Sequence, residues 1–89
     1  MAMQPDILIF LSDQHDGRVQ AHMGDGTVRT PHLDRLAREG VTFTQAYTPC
    51  PLCVPARMSL LTGQLPSHTG VFINNGSIHP EMPTFLHAL

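Results

Sequence analysis

Lysine is absent from the 89 residues, and five arginines carry all of the basic charge. Those arginines (Arg18, Arg29, Arg35, Arg38 and Arg57) are scattered among seven acidic residues, for a net charge of −2. Without a cluster of cations, the chain lacks the electrostatic footprint of a nucleic-acid or anionic-membrane binder. Cysteine is scarce: there are two, Cys50 and Cys53. A disulfide-stapled mini-protein carries four or more, so that class is excluded. The pair could bond to each other, but a zinc site built on it would need two more ligands, and His68 and His79 do not have finger spacing. Long apolar runs are also missing. The first, Ile7 to Leu11, has five residues, whereas a bilayer-spanning helix needs about 20. No secretory leader is visible, since the first basic residue is Arg18. These absences predict a soluble, cytoplasmic chain with no nucleic-acid and no membrane partner.

The hydrophobic fraction is 42%, and the length allows one domain at most. Seven glycines and eight prolines punctuate the chain. Pro5-Asp6 leads into Ile7-Leu8-Ile9-Phe10-Leu11. This unbroken apolar run suits a strand covered on both faces, as in a parallel sheet. The run stops at Ser12-Asp13-Gln14-His15-Asp16-Gly17. Sites in open α/β sheets form just beyond the carboxyl ends of strands, which is where Asp13 falls. Residues 18 to 29 read as irregular. Thr30-Pro31 then opens a helix, with threonine as its cap and proline at its first position. Leu33, Leu36 and Ala37 form its apolar face, Arg35 and Arg38 a solvated one, and Gly40 a left-handed end. The alternation from Val41 to Tyr47 predicts a second strand. A further helix is predicted over about Pro55 to Leu61, closed by Gly63. Residues 64 to 80 read as irregular, and a last helix begins at Pro83-Thr84.

The richest stretch chemically is Cys53-Val54-Pro55-Ala56-Arg57-Met58-Ser59-Leu60-Leu61-Thr62-Gly63. It sets a cysteine at the amino end of a helix, where unpaired N–H groups favour a thiolate or an oxyanion. Arg57, one turn on, adds a fixed cation. A nucleophile beside such an end suits attack on a phosphate or sulfate ester. Cys50 reads as structural, His15 and His22 as surface residues, and His68 as a loop hydrogen-bonding residue or a neighbour of the substrate.

Cys-x-Pro-x-Arg followed by Leu-Thr-Gly resembles the signature of the type I sulfatases, in the alkaline-phosphatase superfamily. Four further blocks resemble the family in order and spacing: Ile7 to Gln14, Thr30 to Phe43, His68-Thr69-Gly70-Val71, and Pro83 to Leu89. The resemblance implies an α/β fold, with residues 1–89 forming the amino-terminal, incomplete part of a sulfatase catalytic domain built on a mixed sheet flanked by helices. It implies that a formylglycine-generating maturation enzyme oxidises Cys53. One oxygen of the aldehyde hydrate would attack the sulfur of a small-molecule sulfate ester, and the other would later expel sulfate by collapse to the aldehyde.

Asp13, Gln14 and residue 53 would be ligands of one divalent cation, with calcium favoured over magnesium or manganese. Arg57 would steady the formylglycine, and Asn74 would contact substrate oxygens. Many members have two adjacent aspartates where this chain has Asp13-Gln14. That form resembles the choline-sulfatase and phosphonate monoester hydrolase branch. Ala56 takes the place of a common serine. The remaining metal ligands and the general acid lie far downstream in the family. Two alternatives therefore stand beside sulfate hydrolysis: phosphonate or phosphate ester hydrolysis, and a truncated piece with no activity of its own.

Overall fold

The computed structural model describes residues 3–89 and divides the chain into two units, Met1–Phe43 and Thr44–Leu89. Each unit is built around short helices.

In the first unit, helix α1 spans Pro31–Glu39. Thr30 precedes it as expected, with Pro31 at its first position. The threonine hydroxyl does not cap the helix. It donates to Asp34 Oδ1 at 3.0 Å and accepts the Ala21 N–H at 2.9 Å. Gly40 ends the helix through its N–H to Leu36 O, but at φ −127°, so the expected left-handed end is not formed. Arg35 and Glu39 pair along the solvated face at 3.0 Å.

A 3-10 turn over Ala21–Met23, within the stretch read as irregular, packs against α1. His22 ties it down. Its backbone N–H and its ring Nδ1 both lie 3.1 Å from Asp34 Oδ1, and its side chain keeps 19% of its exposure. His22 is therefore a fastening between two elements rather than a simple surface residue. Burial pushes the Asp34 carboxyl up, but the Thr30 hydroxyl and His22 outweigh it, and its pKa sits below the ordinary carboxylate value.

Neither expected strand is present among the described residues. Ile7, Leu8, Ile9, Phe10 and Leu11 are 72, 79, 61, 86 and 66% exposed. Val41, Phe43 and Tyr47 are likewise exposed. The physical reason is pairing. A strand's N–H and C=O groups are satisfied by a neighbouring strand, and isolated strands are not stable in water. Nothing among the described residues pairs with either run. The apolar face of α1 is correspondingly uncovered: Leu33, Leu36 and Ala37 line an open hollow of about 330 Å³ with Val41 and Phe43.

In the second unit, helix α2 spans Cys53–Thr62, beginning two residues before the expected start. Gly63 closes it in the left-handed region (φ 67°), its N–H donating to Ser59 O at 2.8 Å. Thr62 completes the ending: its hydroxyl donates to Met58 O at 2.7 Å and accepts the Gln64 N–H at 3.2 Å. The Leu-Thr-Gly triplet is thus a helix stop. A short helix α3, Pro66–Thr69, packs against α2 within the stretch read as irregular. The last helix is a 3-10 turn, Phe85–Ala88, capped by Thr84 and His87 and also packed on α2. The small core comprises Val71 at 1% exposure and the buried Pro55, with Ser59, Pro66 and Thr69 buried beside them in sequence.

Candidate active site

Cys53 is the first residue of α2 and is exposed. Its position follows from the sequence around it. Leu52 is extended (φ −120°, ψ 146°), and Pro55 fits the first turn because its missing N–H would have no acceptor there. Pro55 is buried and anchors the helix start, while Arg57 is exposed one turn on. Cysteine, proline and arginine therefore take separate places: an exposed helix start, a buried anchor and an exposed cation one turn on. Cys50 and Cys53 are both free thiols, and Cys50 is partly buried in the preceding loop. Thr48 holds that loop by donating to Cys50 O at 2.8 Å.

Asn74 joins the start of this helix. Its Oδ1 accepts the Val54 N–H at 3.1 Å, across twenty residues of sequence. Asn74 and Asn75 lie in a turn closed by Gly76 N–H to Ile73 O at 3.1 Å. The Asn75-Gly76 pair marks a tight turn in the sequence, but its contact with α2 has no local signal. Gly76 is required by close approach, since a Cβ there would lie 3.0 Å from Val71 Cγ1. His68, the last-turn residue of α3, is exposed, with its Nδ1 3.4 Å from Ser67 Oγ. Ser59 Oγ is buried with no hydrogen-bond partner among the described residues.

Asp13 and Gln14 belong to the first unit. Both lie in an exposed turn after the apolar run. Gln14 stands in the left-handed region at φ 59°, uncommon for a residue with a side chain. Asp13 and Arg57 each make a further interaction within the chain. Asp16, nearby, is committed elsewhere. Its oxygens take the Arg18 guanidinium at 2.6 and 3.0 Å, which holds the carboxyl far below the usual range and raises the arginine. His15 Nε2 lies 2.9 Å from Val19 O and closes the same loop.

As oxygen donors, Asp13 and Gln14 fit a hard cation in kind. They do not fit in number. Such a cation takes about six or more ligands, and no three His, Cys, Asp or Glu side chains come together among the described residues. The described residues offer part of a coordination shell. No described helix is long and apolar enough to cross a membrane.

A model of the sulfatase family matches residues 5–89, and the chain belongs to that family. It is 49% identical over 72 residues to an ulvan-active sulfatase of Formosa agariphila, covering 81% of this chain and 14% of that protein. It is 38% identical over 86 residues to the choline-sulfatase of Rhizobium meliloti, covering 97% of this chain and 17% of that protein. Similarity extends to the steryl-sulfatase of Mus musculus, 45% identical over 67 residues, covering 75% of this chain and 11% of that protein. The chain thus spans about a sixth or less of the length of these relatives. No solved structure matches it. The family has an alkaline-phosphatase-like α/β fold, which corrects the scope of the α/β expectation: it holds for the family, while the described residues here form helices and no strand. Family members in general depend on formylglycine and a divalent cation and act on sulfate esters.

Proposed function

We propose that this chain carries the nucleophile and part of the metal-binding edge of a sulfuric ester hydrolase acting on a small-molecule sulfate ester. The observation that carries the reading is Cys53 at the first position of α2, with Pro55 buried and Arg57 exposed one turn on. A maturation enzyme oxidises Cys53 to formylglycine, whose hydrate supplies an attacking oxygen and a second hydroxyl that later expels sulfate. The other roles belong to unmodified side chains. The start of α2 directs its positive dipole end toward residue 53 and favours the negative charge that gathers there. Arg57 adds a permanent cation to that end. Asn74 contacts ester oxygens through its amide. Asp13 and Gln14, with residue 53, are proposed ligands of a divalent cation, which polarises ester oxygens when bound; calcium suits the hard oxygen donors best.

The test is peptide mass spectrometry over residue 53 in a host with the maturation enzyme, paired with 4-nitrophenyl sulfate hydrolysis by the protein that contains this chain. Conversion of the thiol to an aldehyde, with turnover lost in Cys53→Ala and kept in Cys50→Ala, is the expected result. An unmodified Cys53 thiol in an active preparation would sink the reading. Gln14 favours a second reading. A neutral ligand in place of a second carboxylate would leave one more net positive charge at the cation, which suits a phosphate monoester dianion over a sulfate monoanion. A higher kcat/KM for 4-nitrophenyl phosphate than for the sulfate would establish that preference.

A further inference from the structure

We infer that Asn74 is a positioning residue for residue 53, acting through the first turn of α2, and that Gly76 and Val71 seat it there. The inference rests on the reading of Cys53 as the nucleophile. A helix begins with N–H groups that have no intrahelical acceptor. In α2, Pro55 has no N–H, and Ala56 already donates to Leu52 O at 3.0 Å. That leaves the donors of the first two positions, Cys53 and Val54. The N-cap residue is Leu52, which carries no side-chain oxygen, whereas Ser, Thr, Asp or Asn is usual there. The cap is supplied from elsewhere: Asn74 Oδ1 takes the Val54 N–H at 3.1 Å.

This bond also fixes the amide. Val54 N–H can only donate, so the atom facing it is the oxygen, and the amide's other end is the NH₂. Asn74 is exposed, so that donor is open to a ligand oxygen. Its seat is equally defined. Val71 is 1% exposed, the most buried hydrophobic residue of this unit's small core. A Cβ on Gly76 would lie 3.0 Å from Val71 Cγ1 and 3.2 Å from Ile73 O, the acceptor that closes the turn. A side chain at position 76 therefore makes Val71 or the turn give by a few tenths of an ångström, which disturbs the seat of Asn74.

Three variants separate positioning from substrate contact, assayed in the matured protein with 4-nitrophenyl sulfate. Asn74→Asp keeps an acceptor for Val54 but loses the NH₂. Asn74→Ala loses both. Gly76→Ala keeps the amide and displaces it. Asn74→Ala should lower kcat about ten- to a hundredfold, the range for a misplaced reacting group, and Gly76→Ala should lower it in the same direction by less. The double variant should be no worse than Asn74→Ala, because both remove one contact. Asn74→Asp should retain more kcat than Asn74→Ala while KM rises.

Hydrogen exchange adds a readout independent of turnover: the Val54 amide should be protected in the unmodified sequence and in Asn74→Asp, and exchange at least tenfold faster in Asn74→Ala. If Asn74→Ala does not fold, Gly76→Ala and Val54 exchange in the unmodified sequence decide the matter. An unprotected Val54 amide, or a Gly76→Ala protein with unchanged kcat, would overturn the inference. A rise in KM alone for Asn74→Ala would overturn positioning and leave substrate contact standing. Unchanged KM in Asn74→Asp, with kcat lost in Asn74→Ala, would support positioning and overturn substrate contact. Turnover surviving in Cys53→Ala would defeat the underlying nucleophile reading, whatever Val54 exchange shows.

Discussion

Produced by itself as 89 residues, the chain should self-associate through Ile7 to Leu11 and should not hydrolyse sulfate esters. These five side chains are 61–86% exposed. Fully burying such a side chain is worth about 1.5–3 kcal/mol, so covering all five is worth roughly 5–11 kcal/mol. That is comparable to the whole stability of an ordinary domain, about 5–15 kcal/mol. An unpaired apolar run also exposes backbone N–H and C=O groups that a second copy can pair with. The perturbation is the double substitution Ile7→Glu and Leu8→Glu, at positions 72 and 79% exposed. Removing two of the five should weaken association by about 2–4 kcal/mol, roughly 30- to 1,000-fold. Sedimentation velocity across a concentration series reads the association, and far-UV circular dichroism checks that helix content is unchanged. A monomeric starting chain that melts cooperatively and turns over 4-nitrophenyl sulfate with added calcium would refute the reasoning. So would a double variant that loses its helices, because it would mean the run packs on them.

Asp13→Asn in the protein that contains this chain should lower bound metal and kcat/KM together, measured by metal analysis and steady-state kinetics; full occupancy in the variant would remove Asp13 from the ligand set. Val71→Ala should destabilise the protein by about 1.5–3 kcal/mol, the loss of two buried carbon groups plus a cavity, read from denaturant unfolding. The Thr30–Asp34–His22 fastening should loosen in acid. Asp34 has a pKa below its unfolded value, so its contribution is present above the ordinary carboxylate range and is lost as pH falls below about 4. Exchange of the Ala21 amide, which donates to Thr30, should quicken over that range, and Asp34→Asn should flatten the pH dependence.

The helices with punctuation at both ends were legible in the sequence. Thr30-Pro31 and Gly40 bracket α1, and Gly63 fixes the end of α2. Pro55 marks the start of α2 two residues late, because proline suits more than one first-turn position, while the backbone turns helical at Cys53. The strands failed for a different reason. Periodicity reports what a segment can bury, not whether a partner is there, and Ile7 to Leu11 has none among the described residues. The placing of Cys53, Pro55 and Arg57 on one helix was legible because the three occupy neighbouring positions in the sequence. The Asn74–Val54 bond was not, since it joins residues twenty apart and depends on a turn resting on Val71. His22 was missed similarly: its partner Asp34 lies twelve residues on.

The backbone of Gln14 bears on how neighbours in sequence can serve one ion. Along an extended chain, consecutive side chains leave on opposite sides, so residues 13 and 14 would be divided between the two faces of a sheet. At φ 59°, Gln14 breaks that alternation immediately after the apolar run. The reversal frees two consecutive oxygen donors from the opposite-side rule. Glycine or asparagine at position 14 would adopt this backbone with less strain. Glutamine at position 14 therefore carries a conformational cost that the turn by itself does not demand, and Gln14→Gly should relieve it.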